Sequence, residues 1–435
     1  MLTISNPLSA SQAQAYHAEE FSNARENYYT QGDQIRGEWH GRLAGQWGLR
    51  GEVREEHFRR LSEGQHPMSG EQLVRHQTAR EYVNRLSLTA LVGGDERVRE
   101  AHRESVGIAL DELERYVQAR IDGNLPAETT GKWVAAKFEH DSARPVDGYA
   151  APQLHTHVVF FNLTETEEGE AYALQPRELY KTQQYATAVY RSELAAQLKT
   201  LGYGIERGKS GQPEIKGYTE EYLVASSPRR RQIKEHLKKE KQRGADAAQI
   251  AAHKTRESKL NLSHDEVQQR HREIAEAFGN QPDRVVRAVK ETARDIEQEA
   301  PHRIVQSAMT FSKERNLERE AVVDERELLR DALRRSMGDA TFTEVRTEFE
   351  KRVGAGEFIE AEKRSGGPSR AFTTEEMIGY ERDTIQMMRE GQNEYPALAS
   401  FETRREIDNH HPHLSQSQRV AVEQILASRD QVMAL

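Results

Sequence analysis

Residues 153–162 read QLHTHVVFFN, an apolar stretch in which one residue separates two histidines. Because side chains along a β-strand point alternately to its two faces, His155 and His157 are expected on one face. Residues 132–140, KWVAAKFEH, alternate in the same way and end in His140. If the two segments pair as antiparallel strands, all three histidines converge. Three neutral histidine ligands leave a divalent ion with open positions, as in catalytic rather than structural metal sites.

The spacing of these histidines does not by itself separate a metal site from ordinary structural roles. The chain has 17 histidines in 435 residues, so a His-x-His pair also arises by chance. A single histidine in a strand is usually solvated or hydrogen-bonded to its neighbours. From the spacing alone, both interpretations stay open.

The same residues carry a resemblance to a known family. Residues 153–162, together with Phe138-Glu139-His140-Asp141-Ser142-Ala143-Arg144, resemble the three-histidine motif of MobF-class conjugative relaxases, the TrwC/TraI type of HUH endonuclease. The resemblance implies an α+β fold, with an antiparallel-sheet relaxase domain and helices. It also implies a divalent metal ion, magnesium or manganese, held by His140, His155 and His157.

The N-terminal region supplies candidate nucleophiles. Residues 9–12 have the spacing of a capping box, which predicts a helix that carries Tyr16. The family has its nucleophilic tyrosines in this region, ahead of a Trp-Gly segment that here reads Glu38-Trp39-His40-Gly41. The resemblance therefore implies Tyr16 and Tyr28 as catalytic residues, with Tyr16 preferred. For Tyr29, a packing role has at least as much support as a chemical one.

The chemistry that the resemblance implies is site- and strand-specific DNA nicking at a plasmid transfer origin. A tyrosine has an ordinary pKa near 10, so attack on phosphorus at neutral pH needs a base or local positive charge. A metal ion supplies such charge to the scissile phosphate, and the product is a 5′-phosphotyrosyl link. The implied partners are single-stranded DNA and the accessory and coupling proteins of conjugation.

One segment departs from the family pattern. Between the helix-like residues 74–84 and the apolar residues 86–92, which we expect to form a strand, the family has a longer segment. That segment holds a Ser-Pro-Lys-Ser strand and an aspartate that assists the tyrosine, whereas here Asn84-Arg85-Leu86 connects the two directly. We therefore assign no catalytic base. A catalytically impaired, relaxase-derived single-stranded DNA-binding module is the alternative function.

Other classes share part of the pattern. A rolling-circle replication initiator or a transposase of the same chemistry has the histidines and a tyrosine, but the spacing of Tyr16 and Tyr28 argues against both. A helicase-like C-terminal stretch argues against them as well. An unrelated hydrolase with three histidines needs neither N-terminal tyrosines nor affinity for DNA.

Composition adds limits on the kind of protein. The chain contains no cysteine and no long apolar run, so we expect a bacterial cytoplasmic protein without membrane insertion. Its net charge of -9 is unusual for a DNA-binding protein, but total charge does not fix the local field. Basic residues do cluster at Arg229, Arg230, Arg231 and Lys234. A solvated helix face and a DNA-backbone contact explain this cluster equally well.

The chain divides into three expected regions. Residues 1–290 form the relaxase domain, with helices near 102–120 and 182–201 and a hairpin of 203–206 with 214–218. Residues 291–400 form a helical and winged-helix-like region, in which a helix opens near Asp324. His271 is expected on a polar helix face.

Residues 401–435 resemble the start of a superfamily 1 helicase domain. No Gly-x-x-x-x-Gly-Lys-Ser/Thr motif occurs in the sequence, so we expect no ATP site. The expectation is a relaxase that is followed by the beginning of a truncated helicase.

Overall fold

The computed structural model describes residues 7–8, 30–31, 37–73, 77–78, 87–121, 126–143, 146, 148–240, 262–292, 301–362 and 367–433. The candidate nucleophiles Tyr16 and Tyr28, the neighbouring Tyr29 and the junction at 84–86 lie outside these residues. Within the described part, no helix combines the length and the apolar character that crossing a membrane requires.

The strands are short except for two. Their bounds are β1 Pro7–Leu8, β2 Thr30–Gln31, β3 Gly37–His40, β4 Gln77–Thr78, β5 Gln118–Ala119, β6 Glu128–Thr129, β7 Ala135–Ser142, β8 Pro152–Phe160, β9 Thr164–Glu165, β10 Ala171–Tyr172, β11 Ile205–Arg207, β12 Pro213–Ile215, β13 Leu262–Ser263, β14 Val323–Asp324, β15 Ile359–Ala361 and β16 Ala371–Thr373.

The helices account for most of the remaining structure. Their bounds are α1 Arg42–Gln46, α2 Glu55–Ser62, α3 Glu96–Glu114, α4 Arg177–Thr200, α5 Glu220–Ala225, α6 Pro228–Lys239, α7 His264–Ala277, α8 Gln281–Thr292, α9 Pro301–Leu317, α10 Glu325–Arg335, α11 Phe342–Gly354, α12 Glu375–Glu390, α13 Phe401–His410 and α14 Gln416–Ala427. A π-helical turn spans Leu88–Val92.

A five-stranded antiparallel sheet forms the centre of the first region, in the order β1-β4-β8-β7-β3. The long strands β7 and β8 are the two segments that the alternating pattern predicted, and their antiparallel pairing is confirmed. The expected α+β architecture is therefore confirmed as well.

The two faces of the sheet pack against different elements. On one face, Phe138 and Phe161 join Trp39, Leu43 and Phe58 in an aromatic-rich core beneath α1 and α2. On the other face, core residues of β7 and β8 meet the long helices α3 and α4, as in the cluster that contains Ala135, Leu113 and Ala186. Along the second half of β8, the side chains on the histidine face are buried, whereas Thr156, Val158 and Phe160 on the α3/α4 face are partly buried.

The apolar residues 86–92 were expected to form a strand, and that expectation is wrong for its described part. Residues 88–92 form the π-helical turn, and Ser87 before it is also helical. Consecutive apolar residues do not distinguish a buried strand from a buried helical segment. Here Leu88 packs with Tyr222 of α5, while Ala90 packs with Leu194 of α4.

Residues 301–373 build a second unit from α9, α10 and α11 and the three-stranded sheet β14-β16-β15. The helix expected near Asp324 is present, because the Asp324 carboxylate accepts a hydrogen bond from the backbone N–H of Arg326 and caps α10. This unit shares a hydrophobic core with α3 and α4, in which Phe349 and Phe372 belong to the same cluster as Tyr185. The two units are thus packed together through a continuous core.

Candidate metal site

Strand register brings the three histidines together. His140 of β7 lies directly opposite His155 of β8, and Phe138 lies opposite His157. Directly opposed residues of an antiparallel pair share a face, so all three imidazoles project from the same side of the sheet. The ring centroids of His140 and His157 are 4.5 Å apart, those of His155 and His157 are 5.1 Å apart, and those of His140 and His155 are 5.2 Å apart.

The donor set fits a divalent metal ion. One ring nitrogen from each of the three histidines lies within 4.8 Å of the others, and each residue is about 4% exposed. Bonds of about 2.1 Å from three nitrogens to one ion require the nitrogens to lie roughly 3–3.5 Å apart.

The orientation of His155 is fixed by the strand itself. Its Nδ1 lies 2.8 Å from the carbonyl oxygen of Gln153. A carbonyl can only accept, so Nδ1 carries the proton and donates, which leaves the lone pair on Nε2. Hydrogen bonding of one ring nitrogen is the usual way in which proteins fix the tautomer of a metal-binding histidine.

Polar contacts on the opposite face of the sheet hold β8 in place. Thr156, between the two histidines of β8, points to the opposite face, where its hydroxyl lies 3.0 Å from Nε2 of His102 in α3. Nδ1 of His102 lies 3.0 Å from the hydroxyl of Tyr190 in α4. Burial, followed by the charge of His155, lowers the pKa of His102 to about 3. His102 is therefore neutral near pH 7 and ties β8 to both helices.

The strand is also held near its N-terminal end. The backbone N–H of Leu154 donates to the Ser87 hydroxyl at 2.8 Å, just before the π-helical turn. The register of β7 and β8 shifts between His140 and Ser142, so a bulge lies beside His140. Bulges redirect side chains and end regular pairing, which suits the edge of a site.

A helix from later in the chain covers the connection between β7 and β8. Ile274 of α7 packs on Ala143, Tyr149 and Ala151. His271 of the same helix is buried, and its Nε2 lies 2.8 Å from the carbonyl oxygen of Ala150. The expectation of a polar face for His271 is wrong, because the sequence pattern does not show that this helix packs on a distant loop.

Two sets of candidates are not placed. Tyr16 and Tyr28 lie outside the described residues. The backbone of Arg229, Arg230, Arg231 and Lys234 is helical in α6, but their side chains lie outside the description. His102 and its contacts were not identified from the sequence, since its partners are 54 and 88 residues away.

An antiparallel sheet whose central strand carries two histidines, with a third on the adjacent strand, defines a candidate metal-binding protein. The chain belongs to the TrwC relaxase family, whose sequence profile matches residues 10–278.

Individual relatives agree with this assignment. The multifunctional conjugation protein TraI of Escherichia coli K12 is 34% identical in an alignment of 293 positions that covers 60% of this chain and 15% of TraI. A second Escherichia coli TraI is 34% identical over 290 residues, with the same two shares. The matched region thus spans less than a sixth of the length of these curated relatives.

Solved structures of the conjugative relaxase TrwC are similar in fold. A copper-bound complex with oriT DNA has a TM-score of 0.57 and 29% identity, and it covers 64% of this chain and 99% of that one. A TrwC complex with a 27-mer DNA that contains the recognition hairpin and the cleavage site has a TM-score of 0.55 and 28% identity, with the same coverage.

Proposed function

We propose that this chain is a conjugative DNA relaxase that nicks one DNA strand at a plasmid transfer origin. The observation that carries the proposal is the convergence of His140, His155 and His157 on one face of β7 and β8. Membership of the TrwC relaxase family and the similarity to DNA-bound TrwC structures support it.

In the proposed reaction, the phenolic oxygen of Tyr16 attacks the phosphorus of the scissile phosphodiester. A bond forms between that oxygen and phosphorus, and the bond from phosphorus to the 3′-oxygen breaks. The phenol proton is lost and the departing 3′-oxygen gains a proton, so the products are a 5′-phosphotyrosyl ester and a free 3′-hydroxyl. Because the ester keeps the bond energy, Tyr28 or the freed hydroxyl can accept the strand in a second transfer.

The described residues contribute positioning and charge. His140, His155 and His157 hold the divalent ion, for which magnesium or manganese is our proposal. When bound, the ion supplies positive charge to a non-bridging phosphate oxygen. The histidines project from the buried face of two paired strands, so their nitrogens are held in place before DNA binds.

The wider assignments are parts of the same proposal. Residues 1–290 form the nicking domain, 291–400 the helical and winged-helix-like region, and 401–435 the start of a helicase-like domain. The partners are single-stranded DNA at the transfer origin and the accessory and coupling proteins of conjugation. We propose Arg229, Arg230, Arg231 and Lys234 as contacts to the DNA backbone. A bacterial cytoplasmic location follows from this function, since plasmid DNA is found there.

The experiment is a covalent-attachment assay. The protein is incubated with manganese and a labelled single strand that spans the nick site of the parent plasmid, and a denaturing gel reveals protein-linked DNA. We expect a shifted band for the wild type and none for Tyr16→Phe. Tyr380→Phe is the matched control, because it removes a hydroxyl from an exposed tyrosine of α12. Equal bands for the wild type and Tyr16→Phe would refute the nucleophile.

The alternative function predicts a different result in the same assay. A relaxase-derived binding module that is disabled at the 84–86 junction binds the strand but forms no covalent band in any variant. Binding is followed in parallel by fluorescence anisotropy of the same labelled strand. Tight binding without a band would therefore select the module over the enzyme.

A further inference from the structure

A group of arginines lies at the seam between the relaxase region and the second unit, away from the histidines. Its members come from four elements, and they are Arg191 of α4, Arg207 of β11, Arg315 of α9, and Arg330 and Arg334 of α10. This local excess of positive charge stands out because the whole chain has a net charge of -9. We refer to these five residues as the arginine cluster.

One buried carboxylate forms ion pairs with three members of the cluster. Asp331 is 5% exposed, and its oxygens lie 2.9 Å from Arg330, 3.4 Å from Arg315 and 3.6 Å from Arg334. Glu327 adds a longer contact of 3.6 Å to Arg330. Among the described residues, the cluster forms ion pairs with these two carboxylates, which do not balance the charge of five guanidinium groups.

Arg191 and Arg334 line a small pocket between α4 and α10, together with Thr187 and Gly211. Arg191 donates through Nη1 to the carbonyl oxygen of Ser210 at 2.8 Å, while its buried Nε has no hydrogen-bond acceptor among the residues that the structure describes. Burial, and then the charge of Arg334, lowers the pKa of Arg191. A buried donor and like charges at close range both cost free energy, which an anion bound at the mouth of the pocket would reduce.

Further contacts keep the arginines at this seam. Arg207 donates to the backbone carbonyl oxygen of Arg334. Arg334 contacts Gln184 of α4 at 3.4 Å. The side chain of Arg334 is nevertheless about half exposed, and that of Arg315 is 64% exposed. The cluster therefore combines a pocket with an accessible rim.

We propose that the arginine cluster binds the phosphodiester backbone of single-stranded DNA. Arg330 and Arg334 are one helical turn apart, which suits a repeating anion better than a single ion. Guanidinium groups bind phosphate oxygens through paired hydrogen bonds. The inference rests on the proposed function, since it adds a second contact for the strand that the histidine site cuts.

The test measures how binding depends on salt. A labelled 40-nucleotide oligo-dT is titrated with the full chain at several salt concentrations, and affinity is followed by fluorescence anisotropy. Each lost phosphate contact on a single strand lowers the slope of log affinity against log salt by about 0.7. We expect Arg191→Gln/Arg334→Gln to lower the slope by about 1.4. The control Arg382→Gln/Arg389→Gln makes the same change in charge on exposed positions of α12 and keeps the slope.

A second variant distinguishes the loss of a phosphate contact from a folding defect. Arg315→Gln changes a largely exposed side chain, so folding is retained and the slope falls by about 0.7. Wild-type affinity and slope in both Arg315→Gln and the double variant would overturn the proposal. Thermal protection by inorganic phosphate that the double variant loses, with an unchanged oligonucleotide slope, would also overturn it, because the pocket would then take a free anion.

The covalent-attachment assay separates the two proposals. A protein that binds oligo-dT through the arginines but forms no covalent band refutes nicking and leaves the arginine cluster intact. A normal covalent band together with a wild-type salt slope in the arginine variants refutes the cluster and leaves nicking intact.

Discussion

His102 and the three clustered histidines lie on opposite faces of the same sheet, and all four are about 4% exposed. Both ring nitrogens of His102 face hydroxyl oxygens at 3.0 Å, one of Thr156 and one of Tyr190. On the other face, the rings of His140, His155 and His157 gather within 4.5 to 5.2 Å of one another. Equal burial therefore accompanies two different roles.

The difference shows which feature identifies a ligand histidine. Burial by itself only favours the neutral form, as the low pKa of His102 illustrates. A metal site requires several ring nitrogens close to one point, and strand register brings three together on one face of β7 and β8. His102 instead fills a polar position between the sheet and two helices. Variants on the face of the clustered histidines should therefore lose metal binding and nicking, whereas variants on the face of His102 should change stability.

The largest expected effect comes from the metal face. His157→Ala should lower the rate of covalent attachment to single-stranded DNA at least ~100-fold, because charge stabilisation by a bound metal is worth several kcal/mol. DNA affinity should change little, since the DNA backbone has other contacts. Rates from a gel time course and affinity from anisotropy measure the two quantities. A comparable loss of rate in His102→Gln would break the distinction between the faces.

The next effect is the pH dependence of stability that His102 causes on the opposite face of the sheet. His102 has a pKa of about 3 in the folded chain against 6.5 ordinarily, so the unfolded chain binds more protons between these values. The stability that the fold gains by keeping His102 neutral is present above pH 6.5 and is lost as the pH falls toward 3. From pH 7 to pH 5 this amounts to about 2 kcal/mol of unfolding free energy.

Replacing the titrating group isolates this contribution. His102→Gln should lose about 2 kcal/mol less than the wild type between pH 7 and pH 5, as measured by urea unfolding without added metal. Both proteins keep the clustered histidines, so the difference between the two losses reports on His102, including its electrostatic coupling to His155. Identical losses in the two proteins would mean that His102 is not kept neutral by the fold.

The smallest expected effect comes from removing a single hydroxyl, that of Thr156. Thr156→Val keeps the shape of the strand but removes the partner of His102 Nε2, which should cost about 1 kcal/mol of unfolding free energy. Metal affinity should fall less than about tenfold, below the 10- to 100-fold range of contacts made directly to a ligand, because Thr156 contacts His102 on the other face of the sheet. Thermal unfolding and metal titration check the two values. A loss of metal binding as large as that of His157→Ala would place Thr156 among the site residues.

The sequence was informative where local periodicity determines structure. Alternation in residues 132–140 and 153–162 predicted the strands and the convergence of three histidines, both of which the structure bears out. Apolar residues at helical spacing predicted α3 and α4, although α3 begins earlier than expected. It begins there because the Asp95 carboxylate accepts a hydrogen bond from the backbone N–H of Arg97 and caps the helix.

Features that depend on distant contacts were not predictable in the same way. The stretch at 86–92 has the composition of a buried strand, yet its described part, residues 87–92, is helical and packs against α4 and α5. His102 meets its partners only after α3, α4 and β8 are assembled. The arginine cluster combines four elements, although the four-residue spacing of Arg330 and Arg334 was a usable signal. The roles of Tyr16 and Tyr28 stay predictions.

The most direct test of the central claim is a calorimetric titration of the metal-free chain with manganese. The account predicts one ion per chain for the wild type, similar binding for His102→Gln, and at least ~100-fold weaker binding for His157→Ala, since a lost ligand exceeds the 10- to 100-fold effect of a supporting residue. Unchanged affinity and stoichiometry in His157→Ala would contradict the claim that His140, His155 and His157 form the metal centre.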